Sequence, residues 1–300
     1  MAIAAFTWTE FAQQLAAGIR EGAIYAGLAL AIVIIYRSTR VINFAQGEMA
    51  TFTTFIAWSL MNQGLTFWEA FPIVLAIAFT GGVVIERTLI RPVENAPVLT
   101  IVIITLGLAL LLNGLMNLIW GGANVQFHGP FSTRTIDVGG VPVSVQDIGI
   151  VAVSILLVGL LALFFRFTKL GLGMRAAAVN RDSSRLVGVR VSWMFALGWG
   201  IATVLGAVAG MMIAPVVFLD PNMMQTILLY AFAAAVLGGL DSPVGAVVGG
   251  ILLGVTITLL GRYVGFIGST LKLPAALLLI LVLLLVRPGG LFGKVAVRRV

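Results

Sequence analysis

Cysteine is absent from the 300 residues, and histidine occurs once, as His128. Without thiols the chain cannot form a disulfide framework, a thiolate metal site or a cysteine nucleophile. One histidine is too few for a histidine-rich metal centre. The nucleotide-binding pattern GxxxxGK[ST] and the hydrolase patterns HExxH and GxSxG are also missing. We therefore predict no catalytic residue, no cofactor and no metal, and we interpret the chain as a protein that is not an enzyme.

Charged side chains are scarce, at 10% of the residues, whereas hydrophobic residues make up 60%. Soluble globular chains carry about 25% charged and about 45–50% apolar residues. So few polar side chains cannot coat a water-soluble protein of 31.7 kDa, and the mean hydropathy of +1.12 agrees with this. The composition predicts an integral membrane protein. Membrane proteins collect Lys and Arg in cytoplasmic loops, and this accounts for the net charge of +7. We therefore predict no nucleic-acid partner, and the expected partner is the lipid bilayer.

Apolar runs of about 20 residues, the length that crosses a bilayer, recur along the chain: about Phe11–Tyr36, Ile42–Met61, Leu65–Ile85, Val98–Trp120, Ile148–Phe165, Val191–Leu219 and Leu273–Val286. A polar loop, Gly121–Gln146, separates the fourth run from the fifth. The block Thr226–Leu260 is interrupted at Asp241-Ser242-Pro243, which predicts two short helices that meet in a tight turn. The fold class is an all-α, polytopic membrane bundle of about eight to nine transmembrane segments, forming one domain over residues 1–300.

Lys and Arg fall mainly on one predicted side of the membrane, which we take as cytoplasmic. This placement puts the N-terminus outside and the C-terminus in the cytoplasm. The adjacent Arg20 and Glu21 lie near the predicted outer end of the first segment, where we interpret them as snorkelling side chains. The basic residues on the cytoplasmic side are Arg37, Arg40, Arg87, Arg91, Arg166, Lys169, Arg175, Arg181, Arg185, Arg190, Arg287, Lys294, Arg298 and Arg299.

Three polar residues, Asn43, Gln46 and Glu48, stand at the start of the second apolar run. Ionisable residues inside a membrane are costly and often functional, so one interpretation is a polar feature beside a translocation path. The alternative is structural: Glu48 forms an interhelical hydrogen bond or a salt bridge with Arg37 or Arg40. Both interpretations remain open at this point.

Glycines with small-xxx-small spacing occur inside two apolar runs, as Gly206 and Gly210 in one and as Gly245 and Gly249 in the other. Small residues let helix backbones approach closely within lipid. Ordinary packing within the chain accounts for this pattern, and a moving gate or a subunit interface is the alternative.

The longest predicted cytoplasmic stretch covers residues 166–190. Gly171 and Gly173 suggest a flexible entry, the sequence RAAAVNRDSSRL from Arg175 to Leu186 predicts one short helix, and Gly188 indicates its end. The apolar Met174, Leu186 and Val187 favour a helix that docks on a cytoplasmic partner, because a merely solvated loop has no use for them. Contact of the basic residues with anionic lipid headgroups is the alternative.

Several motifs, taken in their order along the chain, resemble the integral-membrane permeases of branched-chain amino-acid ABC transporters. They are GAIYAGLALAIVIIY at Gly22–Tyr36, INFAQGE at Ile42–Glu48, KLGLGMRAAAVNRD at Lys169–Asp182, FALG at Phe195–Gly198, AGMMIAP at Ala209–Pro215, AVLGGLDSPVGAVVGG at Ala235–Gly250 and RPGGLFG at Arg287–Gly293. The resemblance covers nearly the whole chain. Family members commonly have His where Gln46 stands, so a protonation role proposed for that His is lost here, whereas hydrogen bonding survives.

The resemblance implies one permease subunit of an ATP-driven importer in the bacterial inner membrane. The implied partners are a second homologous permease, as a heterodimer; two cytoplasmic ATPase subunits, which hydrolyse the ATP; and a periplasmic or extracellular substrate-binding protein. The implied substrates are branched-chain or other amino acids. The alternatives are urea or short amides on the same architecture and, in another mechanistic class, a stand-alone secondary carrier.

The resemblance also implies roles for particular residues. The cytoplasmic stretch matches the family's coupling loop, which transmits closure of the ATPases to the membrane subunits. Asn43, Gln46 and Glu48 become candidates for the translocation path. The implied coupling residues are Gly173, Met174, Arg175, Asn180, Asp182, Leu186 and Gly188.

Overall fold

The computed structural model describes residues 7–268 and 270–293. This part of the chain consists of helices and one small hairpin. The helices are α1 Trp8–Thr39, α2 Gln46–Asn62, α3 Phe67–Ile85, α4 Val98–Trp120, α5 Val145–Phe167, α6 Lys169–Val179, α7 Arg181–Leu186, α8 Val191–Val217, α9 Met223–Gly238, α10 Pro243–Tyr263 and α11 Lys272–Val286. After α3 the chain continues through a π-helical turn, Glu86–Ile90, and a 3₁₀ turn, Arg91–Val93.

Within the described residues, six helical spans are long and apolar enough to cross a membrane, which confirms the all-α membrane class. Two further apolar helices, α9 and α11, are shorter. The six spans are Trp8–Arg37, Phe67–Val93, Val98–Trp120, Val145–Phe167, Val191–Val217 and Pro243–Tyr263.

The predicted break in the block Thr226–Leu260 is confirmed, with one correction. α9 ends at Gly238 and α10 begins at Pro243, and the Ser242 hydroxyl caps α10 by accepting a hydrogen bond from the Gly245 amide at 3.0 Å. Only α9 is short, however, because α10 has 21 residues. Proline at the first helical position needs no amide partner, so the new helix starts there and runs on.

Contacts divide the chain into two compact units, one made of residues 1–33, 130–155 and 226–300 and the other of residues 34–129 and 156–225. In the second unit, α8 is the most buried helix and packs against α2, α3 and α6. Gly82 of α3 faces the Trp199 carbonyl and the Thr203 side chain, and Gly210 of α8 faces the Ala50 backbone. No side chain larger than hydrogen fits at these two glycines.

In the first unit, α1 packs against α10 through facing glycines. A Cβ atom at Gly254 would collide with the backbone of Gly22, and a Cβ atom at Gly250 would lie 2.5 Å from the Ala26 amide nitrogen. Backbone contact of this kind is the usual basis of helix association in lipid. The packing interpretation of the glycine-rich runs is therefore confirmed at these positions.

The loop predicted between α4 and α5 contains a β-hairpin, which the sequence analysis overlooked. Strand β1, Thr135–Val138, pairs antiparallel with β2, Val141–Ser144. Gly139 and Gly140 both have positive φ, of 65° and 85°, as a tight two-residue hairpin turn requires. The Asp137 carboxylate accepts a hydrogen bond from the Gly140 amide at 2.6 Å.

Replacing Gly250 with Leu tests the backbone contact between α1 and α10. We expect a loss of at least about 1–3 kcal/mol in the free energy of unfolding, because the Ala26 backbone has to move. Thermal unfolding of the purified chain in detergent measures this. Gly107→Leu in α4 is the matched control, because nothing lies within 4 Å of a Cβ atom there. Equal destabilisation by both changes would contradict the packing account.

Candidate functional site

The cytoplasmic stretch forms two helices, α6 and α7, which corrects the single helix predicted from Arg175 to Leu186. The chain turns at Asn180, whose backbone is extended at φ −149° and ψ 111°. The Asn180 side-chain oxygen accepts a hydrogen bond from the Ser183 amide at 3.0 Å, and the Ser184 hydroxyl donates to the Asn180 carbonyl at 2.7 Å. Asparagine is a favoured N-cap, so Asn180 ends α6 and starts α7. Gly188, with φ 84°, follows α7 and confirms the predicted stop.

Gly171 and Gly173 are buried residues of α6, so the prediction that they form a flexible entry is wrong. A Cβ atom at Gly171 would collide with the Phe164 carbonyl, and one at Gly173 would lie 3.0 Å from the Met194 sulfur. The Thr168 hydroxyl begins α6 by accepting a hydrogen bond from the Gly171 amide at 2.9 Å. These glycines let α6 lie close to the end of α5 and to α8.

One face of α6 is held by an apolar cluster. Met174 and Ala177 of α6 are buried against Val191, Met194 and Phe195 of α8. This accounts for Met174, one of the apolar residues that the sequence analysis singled out. The contact ties α6 to α8.

Other apolar residues of the α6–α7 pair are exposed to solvent. Val179, Leu186 and Val187 are 84%, 88% and 78% exposed, and Arg175 and Asp182 beside them are also exposed. We call the three apolar residues the apolar tip. Large apolar side chains this exposed, on a segment that also exposes charged residues, are consistent with an interaction surface.

The second candidate region lies at the start of α2, where Asn43 and Gln46 are buried. The Gln46 side-chain amide donates to the Ala202 carbonyl of α8 at 2.9 Å, and the Asn43 amide donates to the Gln46 side-chain oxygen at 3.3 Å. The Asn43 side-chain oxygen accepts from the Ala45 amide at 3.0 Å. Asn43 and Gln46 therefore form a hydrogen-bonded link between the start of α2 and α8.

Glu48 is buried in the first turn of α2. Among the described residues its Oε2 atom has no hydrogen-bond partner, although the structural interpretation anticipated an interhelical partner. A buried polar atom without a partner costs stability. Such a cost is often found at functional positions.

The model of one protein family, described as branched-chain amino acid transport system permease component, matches residues 14–287. The chain belongs to this family.

Individual relatives align over almost the whole permease. LivH, a high-affinity branched-chain amino acid transport system permease protein of Escherichia coli, is 28% identical, with 97% of this chain and 98% of LivH covered. BraD, of the same description from Pseudomonas aeruginosa, is 30% identical with the same coverage of both chains. The solved structure of PsaBC from Streptococcus pneumoniae in complex with Fab aligns with a TM-score of 0.49 and 14% identity, over 92% of this chain and 89% of that one.

The first unit of the permease contains a polar cluster that sequence reasoning missed. Arg20 does not stand alone as a snorkelling side chain but pairs with Asp147 at 3.2 Å. Glu21 accepts hydrogen bonds from Tyr25 at 3.4 Å and from Thr258 at 3.2 Å. Asp147 and Thr258 are far from α1 in sequence, so only the packing of α1 with α5 and α10 brings them to Arg20 and Glu21.

Removing the Asn180 cap tests how α7 is held. Asn180→Ala should lower the stability of α7 by about 1 kcal/mol, because the Ser183 amide loses its hydrogen-bond acceptor. We expect hydrogen exchange in α7 to become about fivefold faster, as measured by mass spectrometry. Asn95→Ala, in an exposed turn, is the control, and an unchanged exchange rate in Asn180→Ala would contradict the capping role.

Replacing Glu48 with Gln tests whether its carboxylate lacks a partner. We expect the free energy of unfolding to rise by roughly 1–3 kcal/mol, because a neutral amide is cheaper to bury than a carboxylate whose Oε2 atom has no hydrogen-bond partner among the described residues. Thermal unfolding in detergent measures the change. Glu69→Gln is the control: the Glu69 carboxylate accepts from the Thr66 amide at 2.8 Å, and Gln supports the same cap. A loss of stability in Glu48→Gln would indicate an ionic partner for Glu48.

Proposed function

We propose that the chain is the membrane-spanning subunit of an ATP-driven ABC importer for branched-chain or other amino acids. The family match over residues 14–287 carries this proposal. Relatives named as branched-chain amino acid permeases align over nearly their whole length. The sequence has no nucleotide-binding loop of the GxxxxGK[ST] type, so in this proposal the ATP is hydrolysed on separate chains.

The assembly contains a second, homologous permease, two cytoplasmic ATPase subunits and a periplasmic or extracellular substrate-binding protein. The permease forms one transmembrane domain of eight to nine crossings in the bacterial inner membrane, with its N-terminus outside and its C-terminus in the cytoplasm. The distribution of Lys and Arg along the chain supports this orientation. In this orientation α6 and α7 face the cytoplasm.

The α6–α7 pair is the surface that couples the permease to the ATPases. Two features support this role: the apolar tip is exposed, and the other face of α6 is fixed to α8 through Met174. Displacement of the apolar tip would therefore move α8, because α6 is packed against that spanning helix. The proposed coupling residues are Gly173, Met174, Arg175, Asn180, Asp182, Leu186 and Gly188.

Asn43, Gln46 and Glu48 form the polar feature beside the translocation path. Support comes from the link between Gln46 and α8 and from the unpartnered Oε2 atom of Glu48. Because α8 carries both this link and the contact with α6, one helix connects the two candidate regions. Movement of α8 offers a direct route from the coupling surface to the path.

Reconstitution tests the proposed function. Liposomes holding both permeases and both ATPases, with the substrate-binding protein added outside, should take up radiolabelled leucine only when ATP is enclosed. Uptake by the permease alone along an ion gradient would overturn the importer assignment. ATP-driven uptake of urea in place of leucine would overturn the substrate assignment alone.

A charge placed on the apolar tip tests the coupling surface. Leu186→Glu should lower ATP-driven uptake at least tenfold and leave membrane insertion intact, because Leu186 makes no buried contact that folding requires. Asn95→Glu adds the same charge on the same predicted side of the membrane and should have little effect. Unchanged uptake in Leu186→Glu would count against the coupling assignment.

A further inference from the structure

Four arginines line an open groove of about 600 Å³ in the second unit, between the end of the span Phe67–Val93 and the segment that leads into α8. One acidic residue, Glu94, lies among them. We call this site the arginine groove, and its side chains are Arg87, Arg91, Arg185, Arg190, Glu94 and Trp193.

The positive charge of the arginine groove is only partly offset by nearby carboxylates: Glu94 lies among the arginines, and the buried Glu86 interacts electrostatically with Arg87 and Arg91. Arg91 and Arg190 are exposed, and neither forms an ion pair with a carboxylate in the part of the chain that the structure describes. Arg185 reaches Asp182 at 3.8 Å, with both side chains largely exposed. Exposed pairs of this kind contribute little. The groove therefore presents an excess of positive charge that attracts an anion.

Arg87 is held in place on one wall of the groove. Its guanidinium lies 3.9 Å from the centre of the Trp193 ring. Its Nε and Nη2 atoms are buried, and within the described residues they have no hydrogen-bond partner. Arg87 belongs to the π-helical turn Glu86–Ile90, and such turns occur frequently at functional sites. The stacked Arg87 guanidinium therefore adds a positive charge at a fixed position in the wall of the groove, while the exposed Arg91 and Arg190 offer accessible donors.

We propose that the arginine groove binds the phosphate of an anionic phospholipid headgroup. The groove lies where one spanning helix ends, at Val93, and another begins, at Val191, which is the depth of lipid headgroups. Trp193 is 43% exposed beside it, and tryptophan is enriched at membrane interfaces. Basic pockets between spanning helices are a recurrent mode of headgroup binding.

The neighbouring apolar surface fits the rest of the same ligand. Val84, three residues before Arg87 and about one helical turn deeper in the span, is 50% exposed. An exposed apolar side chain below a basic groove offers a surface for an acyl chain. An acyl chain would be stabilised by this apolar surface, whereas an acidic protein segment would not. The surface therefore favours a lipid as the ligand. The inference depends on insertion in a membrane and not on coupling to ATPases.

Titration of the full-length permease, purified without ATPases, with phosphatidylglycerol tests the proposal by native mass spectrometry. Arg91→Gln with Arg190→Gln should weaken the apparent affinity about 30-fold, or about fivefold for each arginine. Arg166→Gln removes an exposed arginine at the end of α5, outside the groove, and should change the affinity less than twofold. Neutral phosphatidylcholine should bind all forms equally.

Three results would overturn the proposal. The first is an affinity for phosphatidylglycerol that is equal in the double variant and the wild type, or an equal loss in Arg166→Gln. The second is displacement of the bound lipid by millimolar inorganic phosphate, which would assign the groove to a small free anion. The third is unchanged lipid binding together with weaker co-purification of the ATPases in the double variant, which would assign the groove to a protein segment.

Discussion

In both units, helix backbones meet at glycines that exclude any side chain, and in the second unit the placement of α6 and α7 depends on these contacts. Gly82 and Gly210 fix α8 against α3 and α2, and Gly250 and Gly254 fix α10 against α1. Lipid supplies no hydrophobic drive for helices to associate, so close packing has to supply the attraction. Once α8 is fixed, its Met194 and Phe195 hold α6, and α7 follows through the cap at Asn180.

The stretch from α6 to the start of α8 divides its residues between three surfaces. The buried face of α6 joins the stretch to a spanning helix, the apolar tip (Val179, Leu186 and Val187) is exposed, and Arg185 and Arg190 line the arginine groove. The two interpretations open at the sequence level, partner docking and lipid contact, thus concern different residues of one segment. The proposed coupling surface and the proposed lipid site therefore lie in the same segment.

The helical framework was predictable because apolar runs report directly on bilayer thickness: Val98–Trp120 agrees with α4 residue for residue, and the break at Asp241-Ser242-Pro243 separates α9 from α10. The Asn180 cap and the Gly139-Gly140 turn could also have been predicted, because asparagine is a favoured N-cap and paired glycines favour a two-residue hairpin turn. Contacts between residues distant in sequence, such as Arg20 with Asp147 and Gln46 with Ala202, could not be predicted. They depend on which helices become neighbours, and one sequence does not report this.

The proposed contact between the apolar tip and the ATPase subunits can be measured directly, because the chain contains no cysteine. A single thiol introduced by Leu186→Cys is reacted with a maleimide, first in the permease alone and then in the assembled transporter. Assembly should slow labelling at least tenfold, while Asn95→Cys reacts at the same rate in both states. Equal labelling of Leu186→Cys with and without the ATPases would contradict the account.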